Sequence, residues 1–382
     1  MIDKQALFQW CEEHADEQLA LLKELAAIPA PSHQEEKRVA FISEWLKAQG
    51  SENFYVDEAL NVVVPFGCES RNNIMVYMAH TDVVFPDLTP LPVREADGRL
   101  YAPGVGDDTA NVVALLMCVK YLLEQKCVDE EPVMVVFNSC EEGLGNLKGV
   151  RQIMRDYAGR VKEFVSFDGM YKTICVRAVG SERWKVQATT IGGHSFSAFG
   201  NPSAIAHLAG LVTRLYQQEV PKSEDSKTTF NVGTIRGGTS VNTIAQDAEM
   251  LYEYRSNDKA CLDKMRQQFT NLLEEARCPE AGFEAELVGE RPCGSNVSRE
   301  AHDRLFSRCA LAVEEVAGTY PGRRTSSTDS NIPLSLGIPA VTVGLYIGAK
   351  SHTREEYIEI NSLQTGLKIG MLLVTSHFLP HK

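Results

Sequence analysis

Three largely apolar runs, Ile74–Met78, Val133–Phe137 and Phe164–Phe167, set the narrowest limit on what this chain can become. Each has the length of a strand. Successive side chains of an extended chain point to opposite faces, so an unbroken apolar run needs cover on both sides. Between the first two runs, from about Thr109 to Gln125, Val112, Val113, Leu116, Val119 and Leu123 recur at helical spacing. Strand, helix and strand in that order imply an α/β layer around a buried sheet. Two helices precede it. Leu19, Leu22 and Ala26 mark the first; Val39, Ile42, Trp45 and Leu46 mark the second, which Gly50 ends.

The pattern changes near Ser181. Trp184, Val186, Ala188 and Thr190 alternate with polar residues, as in a half-exposed strand. Asn201-Pro202 then suits a helix start, with Asn as cap and Pro in the first turn. Ile205, Leu208, Val212 and Leu215 carry that helix's inner face. Strands around 229–235 and 248–255, a helix with Leu262, Met265, Phe269 and Leu272, and a strand 283–288 complete a β-α-β-β-α-β order. That order is the split, ferredoxin-like unit. We therefore expect an α+β domain, 179–292, inserted into a discontinuous α/β domain, 1–178 and 293–382. A chain of 382 residues is long enough for two cores. A helix over 299–317, a strand over 340–345 and a helix over 362–378 return to α/β character.

A net charge of −13 disfavours nucleic acid and anionic membrane surfaces as partners. The apolar stretch Ala110–Val119 falls well short of the ~20 residues a membrane-spanning helix needs. Asp3, Lys4, Glu12, Glu13 and Asp16 interrupt any secretory signal. None of the ten cysteines forms a C-x-x-C pair. Several sit in apolar runs, which reads as buried thiols in a reducing cytoplasm.

Acidic and histidine clusters stand where the strands end, the place where open α/β sheets bind ligands. His80-Thr81-Asp82 follows the first run. A metal-binding histidine needs an acceptor for its second nitrogen, and a carboxylate two residues on lies on the same side. Gly104-Val105-Gly106-Asp107-Asp108 precedes the helix. Asp108 suits a cap for a helix starting at Thr109, which leaves Asp107 to bridge cations. The two glycines also invite a nucleotide site, but no third glycine is in register and carboxylates would face the phosphates. Glu141-Glu142 follows the second run, where one Glu can bind metal while the other serves as base. Asp168-Gly169 follows the third and is also a strong turn dipeptide. His352 lies far down the chain. Taken singly, each cluster has a bland explanation as a cap, a turn or a solvated pair. Together they offer five ligands, enough for two zinc ions that share a carboxylate.

This ordered set resembles the two-zinc metallopeptidase family of peptidase T, carboxypeptidase G, acetylornithine deacetylase and succinyl-diaminopimelate desuccinylase. Peptidase T-like members are most alike at Val105-Gly106-Asp107-Asp108, Ser166-Phe167-Asp168-Gly169 and Ser327-Thr328-Asp329. The resemblance implies a mixed, mostly parallel sheet flanked by helices, with the ferredoxin-like insert as lid and homodimer interface. It implies that Asp107 bridges two zinc ions, that His80 and Asp168 complete one, and that Glu142 and His352 complete the other. Cobalt or manganese would also suit such ligands. Asp82 would orient His80, and Glu141 would be the general base for a water shared by the metals. It also suggests a cis bond between Asp107 and Asp108. His194, in Ile191-Gly192-Gly193-His194, would cross a dimer to stabilise the oxyanion, while Asn242 and Arg255 would bind substrate. The expected substrate is a short peptide, cut by a tripeptide aminopeptidase, with an N-acyl amino acid as the alternative. Thr109-Ala110 and Glu253 depart from the family's usual Lys-Gly and Asp, which bears on substrate preference. A non-catalytic peptide or metal binder has no need of the second glutamate.

Overall fold

The structure, a computed structural model, describes residues 2–294 and 296–379. It divides into two compact units, Met1–Ala178 with Ser295–Lys382, and Val179–Gly294. In the first unit an eight-stranded sheet runs in the order Tyr55–Val56, Val62–Phe66, Val133–Asn138, Ile74–His80, Val161–Ser166, Ala340–Val343, Thr173–Ala178, Gly322–Ser326. The four strands from Val133–Asn138 to Ala340–Val343 are mutually parallel. The flanking pairs include antiparallel ones, so the sheet is mixed but mostly parallel.

The alternation of side chains along these strands separates two cores. Met75, Tyr77, Ala79, Val133, Val135 and Phe137 enter one with the helices Lys4–Glu13, Ala15–Ala26, Asn111–Glu124, Arg299–Ala317 and Ser362–Thr375. Ile74, Val76, Met78, Met134 and Val136 enter the other with Lys148–Asp156 and Asn331–Ser335. Every residue of Ile74–His80 and Val133–Asn138 is buried. The unbroken apolar runs are therefore the signature of helices on both faces.

Three helices, not two, precede the sheet. Lys4–Glu13 places Leu7, Trp10 and Cys11 inward, and the Asp3 side chain accepts the Gln5 amide as its cap. The strand Gly322–Ser326 reads Gly-Arg-Arg-Thr-Ser. It exists because Thr173–Ala178 pairs with it, which no hydrophobic pattern announces.

The second unit has a four-stranded antiparallel sheet in the order Thr228–Gly237, Asp247–Ser256, Gly180–Thr189, Gly282–Arg291. The helices Ala204–Gln217 and Lys259–Ala276 pack on it through Leu208, Leu211, Met265 and Phe269. Its β-α-β-β-α-β order is ferredoxin-like. The first helix begins at Ala204, after Asn201-Pro202. Asn201 does not cap it; its side-chain amide donates to Gly192 O at 2.7 Å. No helix among the described residues is long and apolar enough to cross a membrane.

Candidate metal centre

Parallel pairing fixes where the acidic clusters fall. His80 ends its strand level with Asn138, and Met78 is level with Ser166. The chain segments after three adjacent strands therefore emerge together at one edge, carrying His80, Glu141-Glu142 and Asp168. The turn Val105–Ala110 and the loop holding His352 meet them there. Ligand atoms lie within 4.8 Å of one another in three groups: His80, Asp107, Asp108 and Asp168; His80, Glu141 and Glu142; and Asp107, Glu142 and His352.

Asp107 divides its carboxylate between the two sides. Its Oδ1 is 3.1 Å from His80 Nε2 and its Oδ2 is 3.2 Å from His352 Nε2. His352 Nε2 is also 3.1 Å from Glu142 Oε1. Around a tetrahedral zinc with bonds of 2.0–2.1 Å, ligand atoms stand about 3.3–3.4 Å apart. The observed separations are within a few tenths of an ångström of that edge. The donor set thus fits divalent cations in type and in spacing.

Charge points the same way. Five carboxyl groups, those of Asp107, Asp108, Glu141, Glu142 and Asp168, meet two imidazoles, so the acids outnumber the positive charges that two histidines can supply. Burial, with Asp107 and Glu141 nearby, pushes the Glu142 carboxyl up to about 8. Burial and the Asp107 charge push Asp168 up to about 7. Burial also opposes ionisation of Asp107, but hydrogen bonds from His352 and His80 hold it well below the ordinary range. Those bonds to Asp107 and Glu142 raise His352 to about 11. For His80, burial lowers the pKa, yet Asp108, Asp107 and Asp82 outweigh it and raise it. A site that stores like charge at this density is matched to a cation.

The glycines of the turn serve geometry. Gly104 has φ +73°, and a Cβ on Gly106 would stand 2.6 Å from the Tyr346 hydroxyl. The bond between Asp107 and Asp108 is cis. Asp108 does not cap the helix as the sequence suggested, because the chain is already turning from Val105 and the α-helix starts at Asn111. Its carboxylate accepts the His80 amide at 3.0 Å and the Asn111 side chain at 2.5 Å.

Asp82 has a broader task than orienting His80. The nearest acceptor for His80 Nδ1 is the Asp82 carbonyl at 3.1 Å, with the carboxylate at 3.4 Å. The carboxylate itself accepts the backbone amides of Glu141 and Glu142, both at 2.9 Å, and the Ser32 hydroxyl at 2.6 Å. It ties the histidine's loop to the glutamates' loop.

Two organisers escaped the sequence reading. Glu356 is buried and accepts the amides of Gly104, Gly106 and Asp107 at 2.8–2.9 Å. It lies four residues past His352, so one short segment contacts both sides of the cluster. Arg38 is fully buried and donates to Thr81 O and Thr109 Oγ1, both at 3.0 Å, tying the histidine loop to the Asp107 turn. A signal for it existed: Arg38 stands on the inner stripe of its helix with Ile42 and Leu46. Glu356 offered none. In Glu356→Gln an amide group must face one of the three N–H donors. We expect metal affinity to fall about 10–100-fold with unchanged circular dichroism, measured by chelator competition.

The other residues singled out in the sequence, His194, Asn242 and Arg255, lie in the second unit. Gly193–His194 pairs with Thr243–Ile244, which sets His194 beside Asn242. His194 is exposed, and its Nδ1 accepts the amides of Phe196 and Ser197 at 3.2 and 3.4 Å. Nε2 therefore carries the proton and is a donor. Asn242 Oδ1 accepts the Ser240 hydroxyl at 2.7 Å, and its carbonyl accepts the Ser195 amide. Arg255 makes a bidentate pair with Glu253, at 2.9 and 3.1 Å, so its guanidinium is already engaged.

A sheet with helices on both faces and a carboxylate-histidine cluster at its strand ends define an α/β protein with a candidate metal centre. More narrowly, the chain belongs to peptidase family M20/M25/M40, whose model matches residues 76–376. It is similar to the acetylornithine deacetylase of Myxococcus xanthus, 25% identical over 320 residues that cover 81% of each chain. Its fold is that of aminopeptidase PepT from Bacillus cereus, with a TM-score of 0.70, 19% identity and 94% and 98% of the two chains covered. A tripeptidase from Staphylococcus aureus superposes with a TM-score of 0.72 at 20% identity, covering 95% and 99%.

Proposed function

We propose that the chain hydrolyses the amide bond of a short peptide, with removal of the first residue of a tripeptide as the preferred reaction. The observation that carries this reading is the division of the Asp107 carboxylate between His80 and His352 at 3.1 and 3.2 Å, beside Glu141. His80, Asp107 and Asp168 would hold one divalent cation, and Asp107, Glu142 and His352 a second. Zinc is the first choice, with cobalt and manganese as substitutes. When bound, such a pair supplies Lewis acidity toward a carbonyl and water more acidic than bulk.

The chain's own residues do the rest. Glu141 takes the proton of the attacking water and passes it to the leaving nitrogen. Its backbone is held by Asp82, so the base keeps its place as charge moves. His194 offers its Nε2 proton to the developing oxyanion, contributed by the partner subunit of a homodimer built through the inserted unit, which also acts as lid. Asn242 and Arg255 take the polar end of the substrate. Ten free thiols, most of them buried, support a cytoplasmic setting.

His194→Ala should keep its metal and lose about 10²–10³-fold in kcat, as expected for a removed oxyanion donor. A rise in KM with kcat unchanged would assign His194 to binding instead. Deacylation of N-acyl amino acids uses the same machinery and is the second reading, favoured by the likeness to a deacetylase. Purified, metal-analysed protein should be offered tripeptides, N-acetyl and N-succinyl amino acids side by side. Faster turnover of either acyl series sinks the tripeptide assignment.

A further inference from the structure

The second unit holds another cluster of ligand-type side chains, remote in sequence from the centre above. His207, Cys278 and Glu280 each offer one atom within 4.8 Å of the others. Their supports are firm. His207 is in the first turn of Ala204–Gln217, between the buried residues Ala204 and Leu208. Cys278 and Glu280 occupy a tight turn closed by Ala281 N–H donating to Cys278 O at 3.2 Å, with Pro279 at its second position. Pro fixes φ there and favours such a turn. Ala276 and Ala281, on either side, are buried in the same core as Leu208. Three donors thus face one another from a helix and a turn that the core locks in place.

The side chains are also uncommitted. Carboxylates and cations nearby are paired, as Arg214 is with Glu275 and Arg277 with Glu274. The side chains of His207, Cys278 and Glu280, by contrast, make no hydrogen bond or ion pair among the described residues, though their ligand atoms lie within 4.8 Å of one another. Imidazole, thiol and carboxylate together form a borderline-soft set. It suits zinc and disfavours magnesium, calcium and manganese. Three protein ligands leave the fourth tetrahedral position to water or a small ligand.

We propose that His207, Cys278 and Glu280 form a further metal site, for a thiolate-seeking divalent cation such as zinc, that pins the turn after Lys259–Ala276 to the helix Ala204–Gln217. Binding replaces the thiol proton, released to solvent, with a metal–sulfur bond.

No group at the main centre contains a cysteine, so sulfur separates the two sites. The probe is cobalt(II), titrated into the reduced, metal-stripped full-length chain. A near-ultraviolet sulfur-to-cobalt charge-transfer band should appear, vanish in Cys278→Ser and weaken in His207→Gln. Asp107→Asn should retain it, so the band tests this site whatever becomes of the main centre. Dialysed wild-type protein should carry one more zinc per chain than Cys278→Ser, with turnover unchanged. Absence of the band, or an equal band in folded Cys278→Ser and His207→Gln proteins, overturns the assignment.

Discussion

Glu141→Ala is expected to fold, bind its full complement of metal and turn over substrate at least 10²–10⁴-fold more slowly than wild type, the range a positioned proton-transfer group supplies. The expectation follows from how the two adjacent glutamates are used. Glu142 has an oxygen 3.1 Å from His352 Nε2 and belongs with Asp107 and His352. Glu141 groups with His80 and Glu142 but not with Asp107 and His352, so the cluster keeps Asp107 and both histidines when Glu141 is truncated. The Glu141 amide, which Asp82 anchors at 2.9 Å, remains in the variant, so the loop keeps its course. Elemental analysis and single-turnover kinetics on one preparation make the check. Metal loss in step with activity would recast Glu141 as a ligand. Near-normal turnover with full metal would remove it as base.

How much of this was legible beforehand depended on which physical effect wrote the signal. Burial on both faces writes apolar runs, and those runs located the three central strands and the clusters that follow them. The edges of the sheet were invisible for the opposite reason: Gly322–Ser326 is held by backbone pairing to Thr173–Ala178 and needs no apolar side chain. The candidate ligand residues were legible as candidates because metal chemistry accepts few residue types. Their supports were not. Glu356 acts through three backbone amides, and a carboxylate that binds N–H groups looks in sequence like any surface glutamate. Asp108 and Asn201 both looked like helix caps. Each instead bonds to a segment distant along the chain or across a loop, because the helices start later than composition suggested. Local rules of capping gave way to tertiary contacts that no window of sequence contains.

Asp107→Asn should do what Glu141→Ala does not and strip the protein of its metal. The substitution is nearly isosteric, so any effect comes from charge and donor type. Asn offers one carbonyl oxygen where Asp107 offers two, and its NH₂ would face either His80 Nε2 or His352 Nε2, now 3.1 and 3.2 Å from carboxylate oxygens. Whichever way the amide turns, one side loses an anionic ligand and gains a donor aimed at the cation's place. Loss of a mere supporting contact costs 10–100-fold in affinity, so loss of a shared ligand should exceed about 100-fold on that side. Saturation at 100 times Kd contributes about 2.7 kcal/mol to stability, so the rise in Tm on adding zinc should largely disappear in the variant. Activity should fall at least as far as in Glu141→Ala, since a base without its metals has no activated water to deprotonate. A variant that still shows the wild-type zinc-induced shift in Tm and a full metal count would mean that Asp107 is not shared between cations. His80 with Asp168, and Glu142 with His352, would then have to be explained as separate histidine-carboxylate pairs.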